Sequence, residues 1–146
     1  MAQGTVTLFH KGILALNNAV HDFDTDVYKI AWVNNDVVPV ASQAAPTLAT
    51  YIAGEQTGGT FPITGGDTIV ITAVESAGTT TIAPQTNPSY VKNAGNPTAV
   101  FWGILYNSSK ADQAIAFVEM DISGADGTLG LISLTWGANL YTMTQG

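Results

Sequence analysis

The chain contains no cysteine, and its only cationic side chains are Lys11, Lys29, Lys92 and Lys110. Without cysteine there are no disulfides and no thiolate metal sites, so the fold must be held by its core alone. A single domain spanning residues 1–146 is long enough for that, because a chain of this length buries about two thirds of its unfolded surface. The scattered lysines and a formal net charge of -7 exclude the cationic patch from which nucleic-acid binding draws its affinity. Charged residues make up 10% of the chain against about a quarter in ordinary soluble domains, and hydrophobic residues 46%. Thr, Ser, Asn and Gln must carry much of the surface polarity, which suits a Thr-rich β protein or one that works packed against neighbours. No run reaches the roughly 20 apolar residues of a membrane span. The opening MAQGTVTLFHKGILALNNAVHD has no basic segment ahead of an apolar one, so synthesis in a cytoplasm without export is expected.

Catalytic signatures are also missing. There is no P-loop lysine motif, no G-x-S-x-G elbow, no H-E-x-x-H and no G-x-G-x-x-G after a strand. His10 and His21 are the only histidines, and no local signature pairs either with a nucleophile. The closest approach to a metal site is HDFDTD, residues 21–26, whose alternating carboxylates suit a hard cation such as calcium. The calcium-loop pattern fails at Val27, where glycine is needed, and at Val33, where the closing Glu belongs. A strand-entry loop with one Asp capping a turn is the preferred reading. Glu119 and Asp121 lie on one side of a strand like a glycosidase carboxylate pair, but that side begins with Ile115 and Phe117, as in a strand leaving the core. Trp32, Trp102 and Trp136 sit in apolar alternations, which favours core packing over a sugar-stacking platform. Asn107-Ser108-Ser109 matches a glycosylation sequon, which carries no weight without an export signal. No enzymatic activity, cofactor or metal is expected.

What the sequence does contain is strand after strand. Residues 99–121, AVFWGILYNSSKADQAIAFVEMD, write two apolar strands around a polar turn. In the first, Val100, Trp102, Ile104 and Tyr106 alternate with Phe101 and Leu105, so both faces are apolar and both need cover, from this chain or from another molecule. Further strands are expected at residues 5–9, 26–34, 68–74, 78–82, 128–136 and 140–144, with a turn at 137–139. A short helix follows the first strand, where Ile13, Leu16 and Val20 fall at helical spacing, and residues 46–53 suit one or two helical turns. Residues 83–98 hold Pro84, Pro88 and Pro97 and read mainly as a loop in which only Tyr90 and Val91 can join a sheet. The fold class expected is all-β, an antiparallel β-sandwich of jelly-roll type with one or two short helices near the N-terminus.

MAQGTVTLFHKGILALNNAVHDFDTDVYKIAWV at the start and VFWGILYNSSKADQAIAFVEMD near the end resemble small virion proteins of tailed bacteriophages, the group that includes the jelly-roll capsid cement or decoration proteins. The resemblance covers most of the chain and is weakest over residues 42–66 and 84–97. It implies a structural protein on the outer capsid surface that clamps neighbouring major capsid protein subunits, made in the host bacterial cytoplasm. It also implies self-association, as a homodimer or a trimer, with no nucleic-acid or membrane partner. The contacts expected on this reading are Phe61 in the Gly-rich loop and Tyr90 and Val91 in the Pro-rich loop, since exposed loop aromatics make good anchors. A tail, neck or receptor-binding virion component, and a carbohydrate-binding β-sandwich module, are the alternatives. A hydrolase would need His10 or His21 beside a nucleophile in a cleft.

Overall fold

The computed structural model describes residues 3–137 and 139–144. Its strands are β1 (Thr7–Leu8), β2 (Tyr28–Val33), β3 (Asp67–Ile69), β4 (Ile71–Ser76), β5 (Thr79–Pro84), β6 (Ser89–Tyr90), β7 (Trp102–Asn107), β8 (Gln113–Glu119), β9 (Ile132–Ser133) and β10 (Tyr141–Thr144). One α-helix, α1 (His10–Asn17), follows β1, and two 3-10 turns cover Leu48–Thr50 and Ile52–Gly54. Every strand pair is antiparallel: a five-stranded sheet in the order β1-β8-β7-β2-β3, a three-stranded sheet β10-β5-β4, and the pair β6-β9. The sheets do not close on themselves. The turn expected at 137–139 includes Ala138, and the opening includes Met1 and Ala2, which lie outside the described residues.

Strands β2 and β7 pair at the centre of the large sheet, from Tyr28 opposite Asn107 to Val33 opposite Trp102. Alternation then sends their side chains into two cores. Tyr28, Ile30, Trp32 and Leu105 enter the main core with Ile69, Ile71, Ile82, Tyr90, Ile132 and Leu134 from the other strands. Ala31, Val33, Ile104 and Tyr106 enter a second core with Phe9, Leu48 and Tyr51. The cover that the doubly apolar strand requires therefore comes from this chain. The segment carrying the 3-10 turns is bound across the second face by His10 N–H to the Ala41 carbonyl (2.9 Å), Ala114 N–H to Pro46 (2.9 Å), Leu48 N–H to Asp112 (2.9 Å) and Gln56 N–H to Trp32 (2.7 Å).

Three local expectations are corrected. Val100 does not share a face with Trp102, because β7 begins only at Trp102; Val100 instead bridges Ala125 and enters the main core. Residues 68–74 are not one strand. The chain changes sheets at Val70, whose carbonyl accepts from Gln85 N–H (2.7 Å) and whose N–H donates to the Thr86 hydroxyl (3.2 Å). Ile115 and Phe117 do not share a side either, because the β7–β8 register slips between Leu105 and Tyr106, leaving Ile115 as the extra residue of a β-bulge. Ile115 and Ala116 thus both enter the main core, while Phe117 packs on the second.

The bulge is where α1 docks. Phe9 N–H donates to the Ile115 carbonyl (2.9 Å), and Gly12 lies so close that a Cβ there would sit 2.6 Å from the same oxygen. The helix ends in a Schellman motif, with Val20 N–H on the Ala15 carbonyl (3.0 Å) and Ala19 N–H on Leu16 (3.2 Å). The residue that takes the left-handed conformation there is Ala19, at φ 54°.

Candidate contact surface

The loops expected to make contacts are rooted in the core by aromatic side chains. Tyr90 and Phe61 stack with centroids 4.1 Å apart, and the edge of Trp32 meets Tyr90 at 5.6 Å and Phe61 at 6.3 Å. The Tyr90 hydroxyl accepts from Trp32 Nε1 at 2.7 Å and donates to the Asp67 carboxylate. Burial, together with the bond to Asp67, raises the Tyr90 pKa far above that of a free phenol, so the hydroxyl stays protonated as the bond requires. Phe61 is 6% exposed and Tyr90 5%, so the expectation of exposed anchors at these positions is corrected. A neighbouring proline or glycine pair marks a loop, but here each loop turns its aromatic residue inward against Trp32.

Val91 points the other way and is 64% exposed. The β6-β9 pairing explains it: Ser89 lies opposite Ser133 and Tyr90 opposite Ile132, so the next pair in register is Val91 with Leu131. Tyr90 and Ile132 face the core, and Val91 and Leu131 face water.

Asn96 holds the surrounding loops together. Its buried side-chain carbonyl accepts from Thr60 N–H (2.7 Å) and the Thr60 hydroxyl (3.0 Å), while its amide donates to the carbonyls of Val91 (2.9 Å) and Gly127 (3.1 Å). One side chain thereby ties the Gly-rich loop, the Pro-rich loop and the 121–131 loop. On the last of these, Ile122, Leu129 and Leu131 are exposed, and Leu129 and Leu131 line a groove of about 410 Å³ that Asp121 and Asp126 also line. Hydrogen bonds from the Thr128 hydroxyl and backbone N–H hold the Asp126 carboxyl below the usual carboxylate range. Val91, Leu129 and Leu131 thus form an apolar surface on a preformed frame. Sequence reasoning singled out only Val91; the signal for the rest was large apolar residues in a segment punctuated by Gly124, Gly127 and Gly130, where a turn-rich chain leaves side chains outside.

The other candidates fall into structural roles. Trp32 and Trp136 are buried, and Trp102 packs edge-on to Phe117 at 6.1 Å while its Nε1 donates to Asn35 (2.9 Å), so the tryptophans form no common platform. In the HDFDTD loop, the Asp22 carboxylate accepts from Asp24 N–H (2.9 Å) and Thr25 N–H (3.2 Å), and Asp26 accepts from Asp22 N–H (2.9 Å). Asp22 therefore caps the turn. Asp26 also accepts from the Asn107 amide at 2.7 Å and lies 3.6 Å from the Lys110 ammonium. Asn107, fully buried, donates to His21 Nδ1 at 3.0 Å and accepts from Ser109 N–H at 2.9 Å, so the sequon amide is consumed inside the fold. His21 is itself buried, and burial lowers its pKa more than nearby Asp26 raises it. Among the described residues no group of three or more His, Cys, Asp or Glu converges as a metal site, and no helix is long and apolar enough to cross a membrane. Comparison of the chain with protein-family models, with curated proteins and with solved structures returns no match.

Proposed function

We propose that the protein is a structural virion component that binds the outer surface of a tailed-phage capsid and cements neighbouring major capsid protein subunits, its sheets forming a β-sandwich of jelly-roll type. The observation that carries the reading is the exposed apolar set Val91, Leu129 and Leu131 on loops fixed by Asn96. Preformed loops lose little conformational freedom on docking, and burying a large aliphatic side chain contributes about 1.5–3 kcal/mol. A few such side chains at each of many equivalent sites favour the assembled shell by mass action. A net charge of -7 suits the outside of a shell whose interior holds a polyanion.

The test uses expanded shells lacking the protein, to which purified protein is added back. The double variant V91D/L131K, which sets opposite charges at the facing positions, should lower occupancy by more than about tenfold, since losing 1.4 kcal/mol or more weakens binding by that factor. Its melting temperature should stay that of the wild type, because both side chains already face water. Unchanged occupancy would remove this surface from the reading.

A further inference from the structure

The groove that Leu129 and Leu131 line carries charge of one sign only, and that sign decides what docks there. Asp121 and Asp126 border it, both half-buried, and none of the four lysines lines it. Lys11 and Lys110 line a different groove, Lys29 lies in β2, and Lys92 follows Val91 in the chain without reaching this one. Both carboxylates are set in place by their own loop. Asp121 accepts from Ser123 N–H (2.9 Å), and Asp126 accepts from Thr128 N–H (2.8 Å) and the Thr128 hydroxyl (2.6 Å). The backbone under them is fixed as well. Val100 N–H donates to the Ala125 carbonyl (3.0 Å), Ala125 N–H donates back to Val100 (2.8 Å), and Gly127 N–H donates to the Pro97 carbonyl (3.0 Å). On the same groove Leu129 is 74% exposed and Leu131 56%.

A purely apolar partner seated on these leucines would strip water from both carboxylates and give them no counter-charge, which opposes docking. An acidic partner would be repelled. A partner that brings a cation on a long aliphatic stem satisfies both parts of the groove at once, the stem lying on leucine and the charged head beside a carboxylate. We propose that the groove takes an arginine side chain of the capsid protein, its stem packed on Leu129 and Leu131 and its guanidinium against the Asp121 and Asp126 carboxylates. Arginine suits the site better than lysine, because a guanidinium is more weakly hydrated than an ammonium and its planar fork of N–H donors matches carboxylate oxygens. Val91, next to Leu131 in the β6-β9 register, extends the apolar contact to the residues flanking the arginine. A net charge of -7 on the chain speeds the encounter with a basic partner. The proposal rests on the reading of this surface as the capsid contact and adds the chemistry of the group that fills it.

Adding protein back to expanded shells tests it with D121N/D126N, which removes both charges and keeps an acceptor oxygen for Ser123 and Thr128. The dissociation constant for shells should rise about threefold to tenfold at physiological salt, as expected for two partly exposed ion pairs. Binding by this variant should also depend less on added salt than binding by the wild type. Gly130→Lys leaves the carboxylates untouched. Gly130 lines the groove and a Cβ there meets nothing within 4 Å, so the new ammonium supplies the counter-charge from within and should weaken shell binding at an unchanged melting temperature. A shell-free measurement uses N-acetyl-arginine amide as the probe. It should shift the amide resonances of Gly124 and Gly130, and the neutral isostere N-acetyl-citrulline amide should not. Wild-type shell affinity in D121N/D126N, or equal shifts with the citrulline compound, overturns the proposal. If V91D/L131K nevertheless loses binding, the contact surface stands and only its arginine partner falls; if both double variants bind like the wild type, the surface falls with it.

Discussion

Replacing Tyr90 with Phe separates a buried structural tyrosine from a surface anchor. The substitution keeps the ring stacked on Phe61 at 4.1 Å and removes only the hydroxyl. That hydroxyl accepts from Trp32 Nε1, on an indole 1% exposed, and donates to Asp67. An indole N–H left unpaired in a core costs about 1–3 kcal/mol, and losing a bond to a charged acceptor costs about 1.5–3 kcal/mol where water does not replace it. Asp67 is only partly buried, so water recovers part of the second term. The sum is about 3 kcal/mol, and at about 2–4 °C per kcal/mol for a chain of this size the melting temperature falls by about 6–12 °C. Differential scanning calorimetry or thermal circular dichroism measures it. Below the melting range, shell occupancy by Tyr90→Phe should match the wild type. A melting temperature within about 1 °C of the wild type would refute the role assigned to the hydroxyl.

Ala19→Gly should stabilise the protein by about 0.5–1 kcal/mol in denaturant titration, because Ala19 takes the left-handed conformation that costs an L-residue about 1–2 kcal/mol and Gly little. No gain would mean that the Schellman turn is not formed in solution. Acid should destabilise in two steps. The pKa of His21 in the fold lies below its unfolded value of about 6.5, so between the two the unfolded chain binds a proton that the folded one refuses, and stability falls as pH drops through that window. The second step comes lower, as Asp22 and Asp26, whose pKa values backbone and Asn107 hydrogen bonds depress, take up protons. His21→Gln should abolish the first step, which begins as pH falls through about 6.5, in urea titrations and leave the second; a first step surviving in that variant would assign it elsewhere.

The central sheet was legible because its signal is local. Alternation predicts two apolar faces for the strand that opens residues 99–121 and one, Tyr28, Ile30 and Trp32, for residues 26–34; β2 and β7 pair at the centre with a core on each face. The bulge at Ile115 was not legible, since the pattern AIAFVE reads as unbroken alternation and only the docking of α1 and the β7 register displace it. The contact residues failed for a related reason. Proline and glycine neighbours identify Phe61 and Tyr90 as loop residues correctly, but whether a loop side chain faces in or out depends on Trp32, 58 residues from Tyr90 in sequence. Val91 came out on the expected side because strand pairing flips neighbours, and its partners Leu131 and Leu129 are brought to it only by β9 and Asn96. The same long-range ties decide the HDFDTD loop, whose carboxylates are engaged by backbone N–H groups, Asn107 and Lys110.

The account's central claim is that the protein covers a capsid in many equivalent copies. Quantified protein gels of intact, purified particles test it most directly. The account predicts a copy number close to that of the major capsid protein. A handful of copies per particle would assign the protein to the tail or neck, and its absence from particles would contradict the claim altogether.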